Sequence, residues 1–358
     1  MYMSLTGPLC HSVPFILVTS QVEAPKRLHI QQQPTPAPLK RPTNLSYGHG
    51  SSVAMKIGFM GLGVMGMPMA LNLARKYSLT VWNRTPSKYP LLRQAGANVA
   101  DTPQQLVQHT DVIFTMLFNE TAFKSVLDSE FKQALRGKTL INTSSVSVDF
   151  SKYLADQVHQ AGGHFIEMPV SGSKVPAEQG QLIGMIAGDP SVAERITHLV
   201  EPITKDAVYC GEIGMGLKTK YAVNLYLITM TAGLAESMAL ARAQGLDIEA
   251  FGRVLDAGPM ASAYSKIKIA KMISQDWSAQ AAIKDCYNIT QLIDSASNAL
   301  GAQSPLIHLT GLLYKQAIDQ GLGEHDMIAV EKVLGLNSNK EVNLLQAGPG
   351  PSPGSARS

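Results

Sequence analysis

The chain has 358 residues, of which 45% are apolar and 16% are charged, as is usual for a soluble enzyme long enough for two domains. The formal net charge is only +3, and residues 1–54, with four basic residues against one acidic residue, hold all of it. Neither nucleic acid nor an anionic membrane is therefore indicated as a partner. The three cysteines are far apart and form no C-x-x-C pair, which argues against a disulfide framework or a metal site and favours a reducing compartment.

Both ends of the chain are predicted to be disordered. Residues 1–54 contain seven prolines and no apolar period, and residues 337–358 include a run of alternating glycine and proline. The first segment is poor in acids but has no amphipathic arginine repeat, so we predict a cytoplasmic protein, with the mitochondrial matrix as the alternative. No transmembrane span is predicted, because polar residues interrupt the most apolar stretch, 222–235.

Short apolar strands alternate with helices between residues 55 and 213. Strands are predicted at 56–60, 79–82, 111–117, 139–142, 164–167 and 184–187. Helices are predicted at 67–76, 86–94, 121–127, 149–161 and 191–200. This alternation indicates an α/β fold with a Rossmann-type, mostly parallel sheet that is covered on both faces.

From residue 214 onward the pattern predicts helices only. The first of them, at 217–243, is apolar nearly all round and is therefore predicted to be buried. Further helices are predicted at 248–256, 263–273, 279–299, 305–319 and 326–334. The domains are thus 55–213 for the nucleotide and an all-helical domain at 214–336 for the substrate and for dimerisation. Because a helix this apolar commonly needs a second subunit to cover it, we predict a homodimer.

The segment that follows the first strand has the pattern G-x-G-x-x-G. Gly61 permits a tight turn, Gly63 lets backbone approach a pyrophosphate, and Gly66 lets helix and strand pack closely. The helix that begins here offers free N–H groups to phosphates. We therefore predict a dinucleotide site along this segment. The residues expected to contact the cofactor here are Gly58, Met60, Gly61, Leu62, Gly63, Val64, Met65, Gly66 and Asn72.

The end of the second strand indicates which dinucleotide binds. NAD enzymes usually place Asp or Glu there to bind the ribose 2′-hydroxyl, but this strand runs into Asn83, Arg84 and Thr85. Arg84 would attract a 2′-phosphate and stack on the adenine, and its two neighbours would add hydrogen bonds. We therefore predict NADPH as the cofactor.

Two polar residues lie one turn apart near the start of the long helix. Lys220 and Asn224 share one face of that helix, whereas Lys218 lies on another face and is interpreted as a solvated charge. Carbonyl reduction by hydride leaves a developing alkoxide, and a lysine ammonium supplies both the proton and the positive charge that the alkoxide needs. Burial between domains would lower the pKa of this lysine toward the working pH. Lys220 is therefore the candidate general acid and base.

Five ordered parts of the sequence resemble the β-hydroxyacid dehydrogenase family of 3-hydroxyisobutyrate dehydrogenase-like proteins, and within it the glyoxylate/succinic semialdehyde reductase branch. They are GFMGLGVMGMPMALNL, VWNRTPSK, EMPVSGSKVPAEQGQL with IAGD, GMGLKTKYAVN, and AAIKD. The resemblance covers residues 55–335. It implies that Lys220 is the general acid/base and that Asn224 orients the substrate. It also implies that Ser171, Gly172 and Ser173 hold the substrate carboxylate.

The resemblance assigns further residues around the nicotinamide and the substrate. Asp285 is expected near the substrate, and Trp277 stands where the reductase branch commonly has phenylalanine against it. The larger indole leaves open whether glyoxylate or succinic semialdehyde is the substrate. Ser145 stands where the family often has threonine. The cofactor contacts implied here are Leu117, Phe118 and Ser145 at the nicotinamide and Lys284 near its ribose.

Together these residues predict an NADPH-dependent reductase of a small carboxylate-bearing aldehyde or keto acid, reversible toward the hydroxy acid. An imine-type or tailoring reductase that acts on a larger metabolite shares the fold, but imine reductases usually lack the lysine found at 220. Phosphogluconate dehydrogenase is similar at its N-terminal end but has a much longer helical domain. A non-catalytic NADPH-binding module, the remaining alternative, would have lost the lysine.

Overall fold

The structure, a computed structural model, describes residues 55–334. The predictions of disorder for 1–54 and 337–358 concern segments that lie outside the described residues. Within the described part, strands alternate with helices up to residue 211, and only helices follow.

Nine strands form the sheet. They are β1 (Lys56–Met60), β2 (Ser78–Trp82), β3 (Asn98–Val99), β4 (Val112–Thr115), β5 (Thr139–Asn142), β6 (His164–Glu167), β7 (Val170–Ser171), β8 (Leu182–Gly188) and β9 (Thr204–Gly211). Their order across the sheet is β3-β2-β1-β4-β5-β6-β8-β7, and β9 pairs with β8. Strands β1 to β6 are parallel, whereas β8 runs antiparallel to β6 and β7. The predicted mostly parallel, Rossmann-type sheet is confirmed.

Eight α-helices accompany the sheet. They are α1 (Gly66–Ala74), α2 (Pro90–Gln94), α3 (Pro103–Gln108), α4 (Glu120–Lys124), α5 (Ser129–Ala134), α6 (Val148–Gln160), α7 (Lys174–Glu178) and α8 (Pro190–Val200). Successive strand residues enter two separate apolar clusters: Phe59 joins the one that contains α1 and α8, and Met60 joins the one that contains α3 and α6. Because neighbouring strand residues point to opposite faces, helices cover both faces of the sheet.

Helices make up the rest of the described chain. They are α9 (Met215–Ala243), α10 (Ile248–Ala257), α11 (Ala263–Ile273), α12 (Ile283–Ala299), α13 (Pro305–Asp319) and α14 (Glu331–Leu334). Between residues 212 and 334 the only strand-like pairing is a single antiparallel bridge from Ala282 to Asp326. The apolar cluster beneath α6 continues into these helices through Leu217 and Tyr221. The predicted all-helical second part is confirmed.

Several predicted element bounds are wrong, for local reasons. The helix predicted at 86–94 is a 3₁₀ turn, Pro86–Lys88, followed by α2, because Pro90 has no N–H to continue the first turn. The helix predicted at 279–299 begins only at Ile283, and the one at 326–334 starts as a 3₁₀ turn, Met327–Val330. Strand β9 was not predicted, because most of its residues are polar or partly exposed.

Helix α9 has two different faces. One face is buried against both halves of the described chain and contains Lys220, Asn224 and Thr231. On the opposite face Tyr226 is 69% exposed and Leu240 is 58% exposed, so a single chain buries only half of the helix that was predicted to be wholly buried. By length and composition alone, α9 is the one helix in 55–334 that could cross a membrane. Here it serves as an interdomain helix.

Candidate active site

The residues predicted to contact the cofactor lie at the carboxyl ends of neighbouring strands. In the spatial order β2, β1, β4, β5 and β6, these ends continue into residues 83–85, 61–66, 117–118, 143–145 and 168–173. An open α/β sheet binds ligands outside these ends, at the point where the strand order reverses, which here lies between β1 and β4. The topology thus brings together segments that are far apart in the sequence.

Glycines shape the turn that follows β1. Gly61 has a φ of +97°, and a Cβ there would lie 2.2 Å from the carbonyl oxygen of Met116. A Cβ on Gly66 would lie 1.9 Å from the carbonyl oxygen of Gly61. Gly63 is different, because it is exposed and a Cβ there would meet no described atom within 4 Å. The two close contacts compact the turn, and the open space at Gly63 fits a pyrophosphate group.

Free donors accompany this open space. The N–H of Gly61 donates to Trp82 O at 3.1 Å, and that of Leu62 donates to Asn83 Oδ1 at 2.8 Å. The N–H groups of residues 63–66, including exposed Val64 and half-buried Met65, donate to no residue of the described chain. They lie at the N-terminal, positive end of α1. The turn therefore fits the phosphates of a dinucleotide.

Of the three predicted cofactor residues at the end of β2, Asn83 supports the glycine turn, and Arg84 and Thr85 are exposed. Asn83 accepts from Leu62 N and donates through Nδ2 to Thr85 O at 3.1 Å, so its amide already has protein partners. The hydroxyl of Tyr89 fixes the Asn83 backbone, donating to its carbonyl oxygen at 2.7 Å. Arg84 and Thr85 are exposed, and Arg84 forms no ion pair with any residue from 55 to 334.

Three of the predicted cofactor residues make packing contacts or hydrogen bonds that stabilise the fold. A Cβ on Gly58 would lie 2.6 Å from Leu106 Cδ2, so this glycine makes room for α3. Met60 is buried, and its carbonyl oxygen accepts from the residue that follows β4. Asn72 donates through Nδ2 to Ala177 O at 2.8 Å and so joins α1 to α7. Their contact with the cofactor stays a prediction.

The loops after β4 and β5 meet beside the turn. Ser144 Oγ accepts from Leu117 N at 2.8 Å, which joins the two loops. Leu117 is half-buried, Phe118 is 58% exposed and Ser145 is half-buried. These three residues are thus grouped at the sheet edge where the nicotinamide was predicted.

Lys220 and Asn224 lie together on the buried face of α9. Lys220 is only 7% exposed and has no hydrogen bond or ion pair with any other described residue. Burial lowers the pKa of its amine to about 8, and the nearby Cys286 thiol opposes this shift. Asn224 is 5% exposed, and its Oδ1 accepts no hydrogen bond from the described chain. Two buried polar groups that lack protein partners have the character of a site that a substrate completes.

A residue to which the sequence analysis assigned no role holds the start of this helix. Glu167 ends β6 and is fully buried, and its carboxylate accepts from Leu217 N at 2.7 Å, from Gly214 N at 3.2 Å and from Ser151 Oγ. Burial raises the pKa of this carboxyl group against the effect of those donors. A carboxylate at the N-terminus of α9 is favourable to its dipole. The sequence signal was an acid at the end of an otherwise apolar strand.

The predicted substrate turn lies directly after β6. Ser171 ends β7 and is half-buried, Gly172 is exposed with a φ of +130°, and Ser173 precedes α7. A Cβ on Gly172 would lie 2.6 Å from Leu182 Cδ2, so the turn needs glycine. The turn begins only four residues after Glu167, and so the residues predicted for carboxylate binding and for proton transfer are both held by the end of β6.

The remaining predicted residues belong to the helical part. Lys284 and Asp285 are half-buried in the first turn of α12, and Lys284 Nζ pairs with Glu324. Burial raises the pKa of Asp285. Trp277 is half-buried, and Lys332 Nζ lies 4.7 Å from its ring centroid. In the described chain Lys284 thus has a protein partner, and its contact with the ribose stays a prediction.

Known protein families match this arrangement in two consecutive parts. A model of the NAD binding domain of 6-phosphogluconate dehydrogenase matches residues 56–211, and a model of the NAD-binding region of NADP-dependent 3-hydroxyisobutyrate dehydrogenase matches residues 214–334. Glyoxylate/succinic semialdehyde reductase 1 of Arabidopsis thaliana is 32% identical over 77% of this chain and 97% of its own length. The chain belongs to the β-hydroxyacid dehydrogenase family.

Two further comparisons agree with membership of the β-hydroxyacid dehydrogenase family. The chloroplastic glyoxylate/succinic semialdehyde reductase 2 of A. thaliana is 32% identical over 80% of this chain and 81% of its own length. The crystal structure of a 3-hydroxyisobutyrate dehydrogenase from Salmonella typhimurium shares the fold, with a TM-score of 0.73 at 22% identity over 78% of this chain and 99% of that one. This β-hydroxyacid dehydrogenase falls in the glyoxylate/succinic semialdehyde reductase branch, and it is an NAD(P)-dependent oxidoreductase of small substrates.

Proposed function

We propose that this β-hydroxyacid dehydrogenase reduces a small aldehyde or keto acid to its hydroxy acid with NADPH, and that the reaction is reversible. The observation that carries the proposal is the buried pair of Lys220 and Asn224, whose side chains have no hydrogen-bond or ion-pair partner among residues 55–334 and lie on the helix that joins the two domains. A structural lysine is almost never buried without a partner. A lysine that exchanges a proton with substrate accounts for this placement.

When bound, the cofactor supplies the hydride. Lys220 would donate a proton from Nζ to the carbonyl oxygen as that oxygen gains negative charge, and it would take the proton back in the oxidative direction. Asn224 lies one turn further along the same face of α9, where its amide would orient the oxygen being protonated. Glu167 fixes the start of α9 and thereby the rotation of this face.

Ser171, Gly172 and Ser173 are proposed to bind the carboxylate of the substrate. A glycine-containing turn aims hydroxyl and backbone N–H donors at one anion. The Arabidopsis relatives are named for glyoxylate and succinic semialdehyde, which are both aldehyde acids. Trp277 takes the place at which the reductase branch commonly has phenylalanine, and a screen of acids distinguishes these two substrates from others.

NADPH is proposed rather than NADH because of the end of β2. That end has no acidic residue, and Arg84 is exposed beside the turn that follows β1. Asn83 supports the same turn, which keeps the backbone of Arg84 close to the adenosine end of the site. The family model that matches residues 214–334 describes an NADP-dependent enzyme, which supports this choice.

The test is an NADPH-oxidation screen over aldehyde and keto acids with the wild type, Lys220→Ala and Lys218→Ala. We expect the wild type to oxidise NADPH with at least one acid and Lys220→Ala to lose about 10²–10⁴-fold in kcat, the usual contribution of a general acid. Lys218→Ala is the matched control, because Lys218 is exposed two residues earlier on α9, and it should retain wild-type rates.

Two results would contradict the proposal. Equal rates for Lys220→Ala and the wild type would show that another group supplies the proton. NADPH oxidation with cyclic imines but with no aldehyde or keto acid would assign the enzyme to the imine-type reductases instead.

We also propose a homodimer in which α9 contributes to the interface. Its exposed face contains Val223, Tyr226, Gly233 and Leu240, with half-buried Met230 beside them and exposed Glu236 between Gly233 and Leu240. This face lies opposite the one that contains Lys220, so a second copy could cover it without obstructing the site.

A further inference from the structure

One backbone hydrogen bond joins the two halves of the chain beside the proposed substrate site. The N–H of Lys174 donates to the carbonyl oxygen of Gln280 at 3.3 Å. Lys174 directly follows Ser173 and begins α7, so a helix cannot use this N–H itself. Gln280 belongs to the segment 275–282, which contains Trp277 and connects α11 to α12. The bond therefore links the serine turn to the segment that carries the tryptophan.

The same peptide segment is held on its other side by a buried carboxylate. Gln280 N donates to Asp326 Oδ2 at 2.8 Å. Lys268 Nζ lies 2.8 Å and 3.0 Å from the two oxygens of Asp326 and donates to Gln280 Oε1 at 3.3 Å. Lys268 is 1% exposed and Asp326 is fully buried. We call these groups, from Lys174 N–H through Gln280 and Asp326 to Lys268, the Gln280 latch.

Other contacts make the segment rigid around the latch. Gln275 begins it with a φ of +53°, a conformation that non-glycine residues rarely adopt. Lys271 Nζ lies 2.6 Å from Asp276 Oδ2, and the carbonyl oxygen of Trp277 accepts from Asp326 N at 2.9 Å. Trp277 is thus held by a backbone hydrogen bond from Asp326 and by the Lys332 ammonium, which lies over its ring.

We propose that the Gln280 latch sets the width of the substrate end of the interdomain cleft, with Asp326 and Lys268 as positioning residues for the binding of the small acid. This inference rests on the proposed function, because it takes Ser171–Ser173 and Trp277 to contact one substrate from opposite sides. The backbone N–H and C=O of Gln280 are engaged by opposite halves of the chain, the N–H by Asp326 and the C=O by Lys174, so this residue transmits the position of the buried ion pair to the serine turn. No hydrogen bond within residues 55–334 joins the glycine turn after β1 directly to these groups.

The decisive variant is Lys174→Pro. Proline removes the latch N–H together with the lysine side chain, and it is well tolerated at the first position of a helix. The preceding residue, Ser173, has φ −101° and ψ −168°, an extended conformation that a following proline accepts. Lys174→Ala is the matched control, since it removes the side chain and its exposed pair with Glu178 but keeps the N–H. Gln280→Ala is the second variant, should the proline variant fail to fold, because it removes the side-chain oxygen that accepts from Lys268 Nζ and leaves the buried pair of Lys268 and Asp326 intact.

Two measurements distinguish a failure of the latch proposal from a failure of the proposed function. For the best acid from the screen, Lys174→Pro should raise KM at least about tenfold, as expected when a hydrogen bond to a charged group is misplaced. KM for NADPH should change less than about twofold, and Lys174→Ala should match the wild type in both constants. An unchanged KM for the acid in the folded proline variant would overturn the positioning role.

The second measurement needs no activity. The chain has two tryptophans, so in a Trp82→Phe background the fluorescence reports Trp277 alone. Quenching by acrylamide should be at least about twofold stronger when Lys174→Pro is added, because the segment loses its hold on the serine turn. Unchanged quenching would overturn the latch itself, even if no acid were a substrate.

Discussion

The environment of Lys220 decides when its amine carries a proton. Loss of water around the ammonium lowers its pKa to about 8, while the Cys286 thiol opposes the shift. Burial raises the pKa of that thiol to about 12, so at neutral pH it is protonated, and it opposes the shift only where it becomes a thiolate. The ammonium form is therefore the majority at pH 7 but is close enough to its pKa to release the proton.

This pKa predicts opposite pH profiles for the two directions of the reaction. Reduction needs the ammonium, so kcat/KM should be level below pH 8 and should fall about tenfold per pH unit above it. Oxidation needs the neutral amine and should rise up to pH 8, then level off. Steady-state rates at several pH values, with the acid and with the hydroxy acid, check both limbs. A reductive profile that stays level to pH 10 would contradict the assignment to Lys220.

A single residue, Arg84, is expected to determine the preference for NADPH over NADH. In Arg84→Asp an attractive cation near the 2′-phosphate becomes a repulsive anion that can bind a 2′-hydroxyl. We expect kcat/KM for NADPH to fall at least about 30-fold relative to that for NADH, roughly 2 kcal/mol. Lys88→Asp, the same charge change on the exposed turn that follows, should leave the ratio near the wild-type value. An unchanged ratio in Arg84→Asp would favour another group as the phosphate contact.

The turn between β1 and α1 shows how one motif separates into distinct physical roles. Gly61 and Gly66 are required by the chain itself, because their missing Cβ atoms would meet backbone oxygens at 2.2 Å and 1.9 Å. Gly63 has open space instead, and only a bound phosphate would need its missing side chain. The motif in the sequence predicted these different roles, and the neighbours in space show the close contacts at Gly61 and Gly66 and the open space at Gly63.

This difference predicts opposite outcomes for two alanine substitutions. Gly66→Ala should lower the free energy of unfolding by about 1–3 kcal/mol, the cost of overpacking. Gly63→Ala should change it by less than about 1 kcal/mol and should raise KM for NADPH at least about tenfold. Urea unfolding and cofactor titration measure the two effects. Full NADPH affinity in Gly63→Ala would place the pyrophosphate elsewhere.

At the scale of elements, residues 275–282 explain why one helix bound was wrong. The apolar pattern from 279 continues smoothly into α12, so periodicity predicts helix there. Asp326, which is 46 residues away from Gln280 in the sequence, accepts from the N–H groups of Gln280 and Ala281, so these groups are not available for a helix. A contact between distant parts of the chain thus overrides a local preference, and local patterns carry no information about it.

At the scale of the whole molecule, α9 divides its two faces between the site and the exposed surface. Its inward face carries Lys220 and Asn224, and its outward face exposes Tyr226 and Leu240. The exposed apolar side chains that share this face, Val223, Tyr226 and Leu240, are consistent with a surface that another chain covers.

The outward face predicts the oligomeric state. Light scattering should give a dimer or a larger dimer-based assembly for the wild type, and Tyr226→Glu with Leu240→Glu should shift it toward the monomer, because two buried charges would lack partners. Tyr153→Glu changes an exposed tyrosine on α6 and serves as the control that should retain the wild-type mass. A wild type that is monomeric at all concentrations would contradict the dimer.

Local information in the sequence was sufficient for the fold class, the dinucleotide turn and the distinction between Lys218 and Lys220. Strand and helix periods and glycine spacing are short-range properties, so a single sequence displays them directly. Only the tertiary structure decided that Glu167 caps α9, that Asn72 joins two helices, and that Asp326 orders the segment around Trp277. These contacts pair residues that are far apart in the chain. They are stabilised by burial and by hydrogen bonds to buried donors, and both arise only once the chain has folded.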